Sequence, residues 1–102
     1  MAEHRVASLA DVVNGGLVTV DVDGKRVVLT RVDEAVYACG DVCTHRGGSL
    51  GEGRLRGVRL ACPLHGWIFD VRTGKCQVPS RGEAVPTYPV RVDGESVFIE
   101  LP

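Results

Sequence analysis

The amino-acid sequence predicts an all-β domain. Three observations carry this: short runs that alternate apolar and polar residues, Asp-Gly pairs lodged between such runs, and almost no trace of amphipathic-helix periodicity. LVTVDV (17–22), Asp23-Gly24 and RVVLTRV (26–32) read as a β-hairpin. AVYAC (35–39) is the next strand. GVRLAC (57–62) and WIFDV (67–71) read as strands flanking a Cys/His turn, with RTGKC (72–76) as a further turn. YPVRV (88–92), Asp93-Gly94 and SVFIE (96–100) repeat the hairpin pattern. The one helical turn expected lies between Ser8 and Val12, with Ser8 as N-cap and Asp11 at the capping-box position.

With 102 residues the chain suits one domain sharing one core. Hydrophobic residues make up 44% and charged residues 25%, with a net charge of −1, which suits a globular domain and gives no general attraction to nucleic acid. The opening MAEHRVASLADVV has charges and no continuous apolar run, and no stretch is long enough to cross a bilayer. A cytoplasmic location with no membrane partner is the expectation. Thiols in that compartment stay reduced, so the four cysteines are read as metal ligands or buried groups rather than disulfides. The run GGSLGEG (47–53) lacks the spacing of a phosphate-binding loop, and its glycines are read as turn formers.

The chemistry concentrates in CTHRGG (43–48) and CPLHGW (62–67). Cys43-x-His45 and Cys62-x-x-His65 are separated by 16 residues, enough for a β excursion that returns one turn beside the other. A zinc finger takes its cysteines from one turn and its histidines from another, whereas here each turn offers one thiolate and one imidazole. Two mixed turns suit a two-iron cluster, with Cys43 and Cys62 on one iron, His45 and His65 on the other, and two bridging sulfides.

At these residues the sequence resembles the Rieske proteins, and from Val36 to its end it runs like a small Rieske-type ferredoxin. The resemblance implies a Rieske fold of stacked antiparallel sheets: a cluster-binding subdomain at about 39–80, inserted in a base domain formed by about 1–38 and 81–102. It implies one Rieske-type [2Fe–2S] cluster. Four thiolates around a [2Fe–2S]²⁺ core leave a charge of −2, whereas two thiolates and two neutral imidazoles leave 0, so an added electron is less opposed. The potential therefore rises into the Rieske range of about −150 to +300 mV. High-potential members of the family add a disulfide between the two turns and hydroxyl donors to the sulfurs. Gly48 and Leu64 stand where those cysteines would be, Trp67 where the Ser donor would be and Phe69 where the Tyr would be. The expectation is the low end, roughly −150 to −100 mV.

Other residues carry two readings each. Gly47, Gly48 and Gly66 either bring backbone N–H groups toward the cluster or simply permit the turns. Pro79 matches the family's proline loop over the cluster, or is a surface turn. Trp67 is read as both shield and packing. Arg46, with His45 and His65, forms a partner-docking tip, or is a solvated loop arginine. Cys39 and Cys76 are read as buried or idle thiols, and His4 as exposed on an N-terminal strand.

With His45 and His65 committed, only His4 remains among three histidines, so the chain cannot also build the mononuclear iron site of an oxygenase. It carries no nicotinamide or flavin fingerprint. The resemblance implies an electron carrier rather than an enzyme, with no small-molecule substrate of its own. It would take electrons from an NAD(P)H-dependent flavoprotein reductase and pass them to the terminal oxygenase of a bacterial aromatic-ring dioxygenase system. The small Rieske-like subunit of an assimilatory nitrite reductase is the alternative, and a structural zinc-binding module a more distant one.

Overall fold

A computed structural model of the chain describes residues 2–44, 47–64 and 66–102. Among them are eleven strands: β1 (Ala2–Ser8), β2 (Leu17–Val22), β3 (Lys25–Val32), β4 (Ala35–Gly40), β5 (Arg54–Arg56), β6 (Arg59–Ala61), β7 (Ile68–Asp70), β8 (Cys76–Val78), β9 (Thr87–Tyr88), β10 (Val90–Asp93) and β11 (Ser96–Leu101). They form three antiparallel sheets, in the orders β1-β11-β10, β2-β3-β4-β9 and β5-β6-β7-β8.

The central strand β3 explains the stacking. Strand residues point alternately to opposite faces, and Val27, Val28 and Leu29 of β3 are all buried. Val28, opposite Cys39, faces a core shared with Leu50, Leu60 and Phe69. Val27 and Leu29 face a second core with Ala38, Ile99 and Leu101. The middle sheet is thus covered on one side by β1-β11-β10 and on the other by β5–β8. Cys43 and Cys62 belong to the first core.

The hairpins follow turn chemistry. Asp23 and Gly24 have φ of 54° and 82°, the paired positive values of a type I′ turn, which matches the right-handed twist of β2 and β3. The β10–β11 turn starts one residue later than Asp-Gly spacing suggests: Asp93 pairs with Ser96, leaving Gly94, at φ 59°, as its first central residue.

Four expectations are corrected. The predicted strand 57–62 is the second half of a hairpin, because Gly57, at φ 59°, turns the chain between β5 and β6. The predicted strand 88–92 is divided at Pro89, which has no N–H for a ladder; Tyr88 pairs with Ala38 and Val90 with Ile99, so the chain changes sheets there. A 3-10 helix does form at Leu9–Asp11, but Ser8 makes no side-chain cap. Its hydroxyl receives the Arg5 guanidinium at 3.1 Å, and the Leu9 N–H donates to the Glu95 carbonyl instead. His4 lies on β1 opposite Ile99 and is half-buried rather than exposed.

Candidate metal centre

Both cysteine turns are closed in the same way. The Cys43 N–H donates to the Gly48 carbonyl at 2.8 Å, and the Gly47 N–H returns to the Cys43 carbonyl at 2.9 Å. In the second turn the Cys62 N–H donates to the Trp67 carbonyl at 2.7 Å, and the Gly66 N–H returns to the Cys62 carbonyl at 3.2 Å. Gly47 and Gly66 both have φ of 72°, a left-handed backbone that side chains resist. No atom would crowd a Cβ at either position. Backbone conformation is therefore what glycine supplies there, and both N–H groups are used to close the turns.

Gly48 has a different reason. A Cβ built on it would lie 2.9 Å from Leu64 Cδ1 and 3.3 Å from Cys62 Sγ. This contact seats the first turn against the second and leaves Gly48 and Leu64 facing each other. Cys43 and Cys62 are 2% and 3% exposed, so both sulfurs sit at the inner end of their turns, while Pro63, Leu64 and Gly66 are exposed at the outer end. His45, Arg46 and His65 lie outside the described residues.

A third segment packs against the pair. The Thr44 hydroxyl donates to the Glu83 carbonyl at 2.7 Å, tying the first turn to the loop that begins at Pro79. Gly82 donates its N–H to the Pro79 carbonyl at 2.9 Å, and a Cβ there would come within 2.8 Å of the Trp67 ring. Trp67 packs on the first core, its ring centroid 6.5 Å from that of the fully buried Phe69.

The first turn is anchored from below by Asp41, which is fully buried. Its carboxylate accepts the Ser49 hydroxyl at 2.7 Å, the Gly51 N–H at 2.7 Å and the Thr19 hydroxyl at 3.1 Å, and Arg26 Nε approaches to 3.4 Å. β2, β3 and the descending arm of the turn are thereby held by one group. Sequence reasoning missed Asp41, because an Asp after a Gly reads as a turn former and its partners are far apart in the chain. It also missed the Glu83 carbonyl, which no side-chain pattern announces.

Cys39, Cys76, Cys43 and Cys62 are all buried, and none forms a disulfide. Burial, and then the nearby Asp41 charge, push the Cys39 thiol up to about 12. Burial also raises Cys76, partly opposed by a backbone hydrogen bond from Val78. Neither behaves as a nucleophile at neutral pH.

No cluster of three or more His, Cys, Asp or Glu side chains forms among the described residues. The sequence expects Cys43 and Cys62 to share a cluster with His45 and His65, and the described residues bring the two cysteine turns face to face. The described part of this arrangement, two buried thiols in facing turns, offers two soft thiolate ligands.

Residues 2–89 match the Rieske [2Fe-2S] domain model. The chain is 36% identical over 97 residues to the ferredoxin component of the naphthalene 1,2-dioxygenase system of Pseudomonas putida, covering 95% of this chain and 93% of that protein. Its fold is similar to the ferredoxin of carbazole 1,9a-dioxygenase from Nocardioides aromaticivorans IC177, with a TM-score of 0.91, 34% identity and 97% of each chain covered. It is also similar to a chain in a complex of reduced oxygenase and oxidized ferredoxin in carbazole 1,9a-dioxygenase, with a TM-score of 0.88, 31% identity and coverage of 95% and 91%. The chain belongs to the Rieske [2Fe-2S] domain family.

Proposed function

We propose that this chain is the ferredoxin of an aromatic-ring dioxygenase system, carrying single electrons from an NAD(P)H-dependent flavoprotein reductase to a terminal oxygenase. Cys43 and Cys62 would hold one iron as thiolates, and His45 and His65 the other as neutral imidazoles. When bound, a Rieske [2Fe–2S] group supplies reversible one-electron uptake. The observation that carries the reading is the matched closure of the two cysteine turns, which places two buried sulfurs at equivalent positions in facing loops.

The chain's own residues have distinct tasks. The Cys43 and Cys62 carbonyls accept the glycine N–H groups, closing each turn on its own backbone. The loop from Pro79, with Trp67 beneath Gly82, keeps water from one flank. An imidazole bound to iron through one nitrogen would leave the other able to hydrogen-bond a partner, so His45 and His65, with Arg46 as a neighbour in sequence, would serve as the electron's exit. Docking there is small and transient, as suits a carrier that must serve two partners in turn.

The residues from about 39 to 80 act as the cluster-binding subdomain, and the sheet β5–β8 is drawn wholly from that stretch. The remainder is the base. With His45 and His65 committed, the half-buried His4 leaves no second histidine for a substrate-oxidising iron. No helix among the described residues is long and apolar enough to cross a membrane; a cytoplasmic site of action belongs to the carrier reading.

The test is composition and stoichiometry together. Anaerobically purified protein should contain about two irons and two acid-labile sulfides per chain and take up one electron in a coulometric titration. Zinc in place of iron, or no acid-labile sulfide, overturns the reading.

A further inference from the structure

The sheet β5–β8 has a second face. Leu55, Leu60 and Phe69 pack on the core side. By strand alternation Arg54, Arg56, Arg59, Ala61 and Ile68 share the other side, where they line a shallow concavity of about 330 Å³. All three arginines are exposed. Arg54 and Arg56 have no ion-pair partner among the described residues, and Arg59 Nε donates only to the neutral Gln77 side chain at 3.1 Å. Asp70, opposite Arg59 in register, is already held by Arg72 at 2.8 Å. A second cavity, of about 400 Å³, shares Arg54 and Ala61 with the first and is lined further by Cys62, Pro63 and Gly66, with Glu52 at its side. The arginine face therefore runs without a break to the second cysteine turn. This concentration of cations occurs in a chain whose net charge is −1.

We propose that this face, which reaches the second cysteine turn, docks an acidic protein surface on a redox partner. The inference rests on the carrier reading above. Unpaired guanidinium groups around an apolar floor of Ala61 and Ile68 suit carboxylates at the rim and apolar contact at the centre. Placed beside the second cysteine turn, the same charges steer an anionic partner toward that turn and raise its rate of productive encounter. Glu52, at the border of the patch, opposes that field locally and leaves three arginines against one free carboxylate.

The test uses the cluster-loaded protein with flavodoxin hydroquinone, an acidic flavoprotein, as the electron donor in stopped flow. The second-order rate should fall about tenfold or more between low and high salt. The R54E/R56E/R59E variant should be slower by about tenfold at low salt and lose the salt dependence, with its visible spectrum unchanged. R54Q and R56Q, which keep side-chain bulk, should fall between and carry the test if the triple variant does not fold. Equal rates and equal salt slopes in wild type and variants overturn the proposal. So does salt-sensitive self-association of the wild type that the variants abolish, which would assign the face to a second copy of this chain. Protein that dithionite cannot reduce fails the carrier reading itself, whereas protein that dithionite reduces but the arginine changes leave unaffected fails only the docking face.

Discussion

The Asp41 carboxylate accepts the Ser49 hydroxyl at 2.7 Å, and through this contact the arm of the first cysteine turn is fastened to the sheet that supports it. The other carboxylate oxygen accepts the Gly51 N–H and the Thr19 hydroxyl, so a single buried carboxylate replaces water for three donors. A buried carboxylate is tolerated when its lone pairs are filled in this way. Here the benefit is placement: the turn carrying Cys43 cannot tilt without breaking several hydrogen bonds at once.

Replacing Asp41 by Ala should therefore cost about 3 kcal/mol of stability, because the donors around it are left buried without partners. Urea denaturation measures this directly. D41N, which keeps acceptor capacity at one oxygen, should cost less than D41A, and equal stabilities for the wild type and D41A would mean that the carboxylate holds nothing.

Gly48 is the tightest point between the turns. G48A should destabilise the protein by about 1–3 kcal/mol and loosen retention of the cluster, since the added methyl meets Leu64 and the Cys62 sulfur. L64A added to G48A removes the atoms that the methyl meets first and should recover part of the loss. Thermal denaturation followed at the cluster's visible absorbance reads both effects.

Much of this site is legible in the sequence. The paired spacing of Cys43 with His45 and Cys62 with His65 announces two mixed turns, because ligand chemistry is local to a few residues. Asp23-Gly24 likewise specifies its hairpin through the positive φ that both positions need. What is not legible depends on contacts between distant segments. Asp33-Glu34 forms the same kind of turn, with φ of 47° and 76°, although Glu is no turn former; the pairing of β3 with β4 imposes it. Nor does YPVRV reveal that its halves join different sheets, since only the neighbours of Tyr88 and Val90 decide that.

Cys39 gives a pH dependence whose sign is fixed. Its folded value of about 12 lies above the ordinary 9.0, so the folded state holds the thiol proton more tightly. The associated stability is complete below the ordinary value and drains away as pH rises from 9.0 toward about 12. Urea midpoints across this interval should fall more steeply for wild type than for C39A. At about pH 8 iodoacetamide should leave Cys39 unmodified in the folded protein and modify it after unfolding.

Trp67 and Phe69 offer no hydroxyl to the cluster region, Trp67 half-buried and Phe69 fully enclosed. With no such donors to stabilise the added charge, the midpoint potential should be roughly −150 to −100 mV by protein-film voltammetry. A value above about +100 mV would mean that other donors compensate.

The measurement that reaches furthest is electron–nuclear double resonance on the dithionite-reduced protein. Twin imidazole ligation by His45 and His65 predicts a rhombic signal with low average g and strong couplings from two nitrogens, one of which disappears in H65C. A reduced signal with no strongly coupled nitrogen, or one that H65C leaves unaltered, would contradict the ligand assignment on which the electron-carrier account stands.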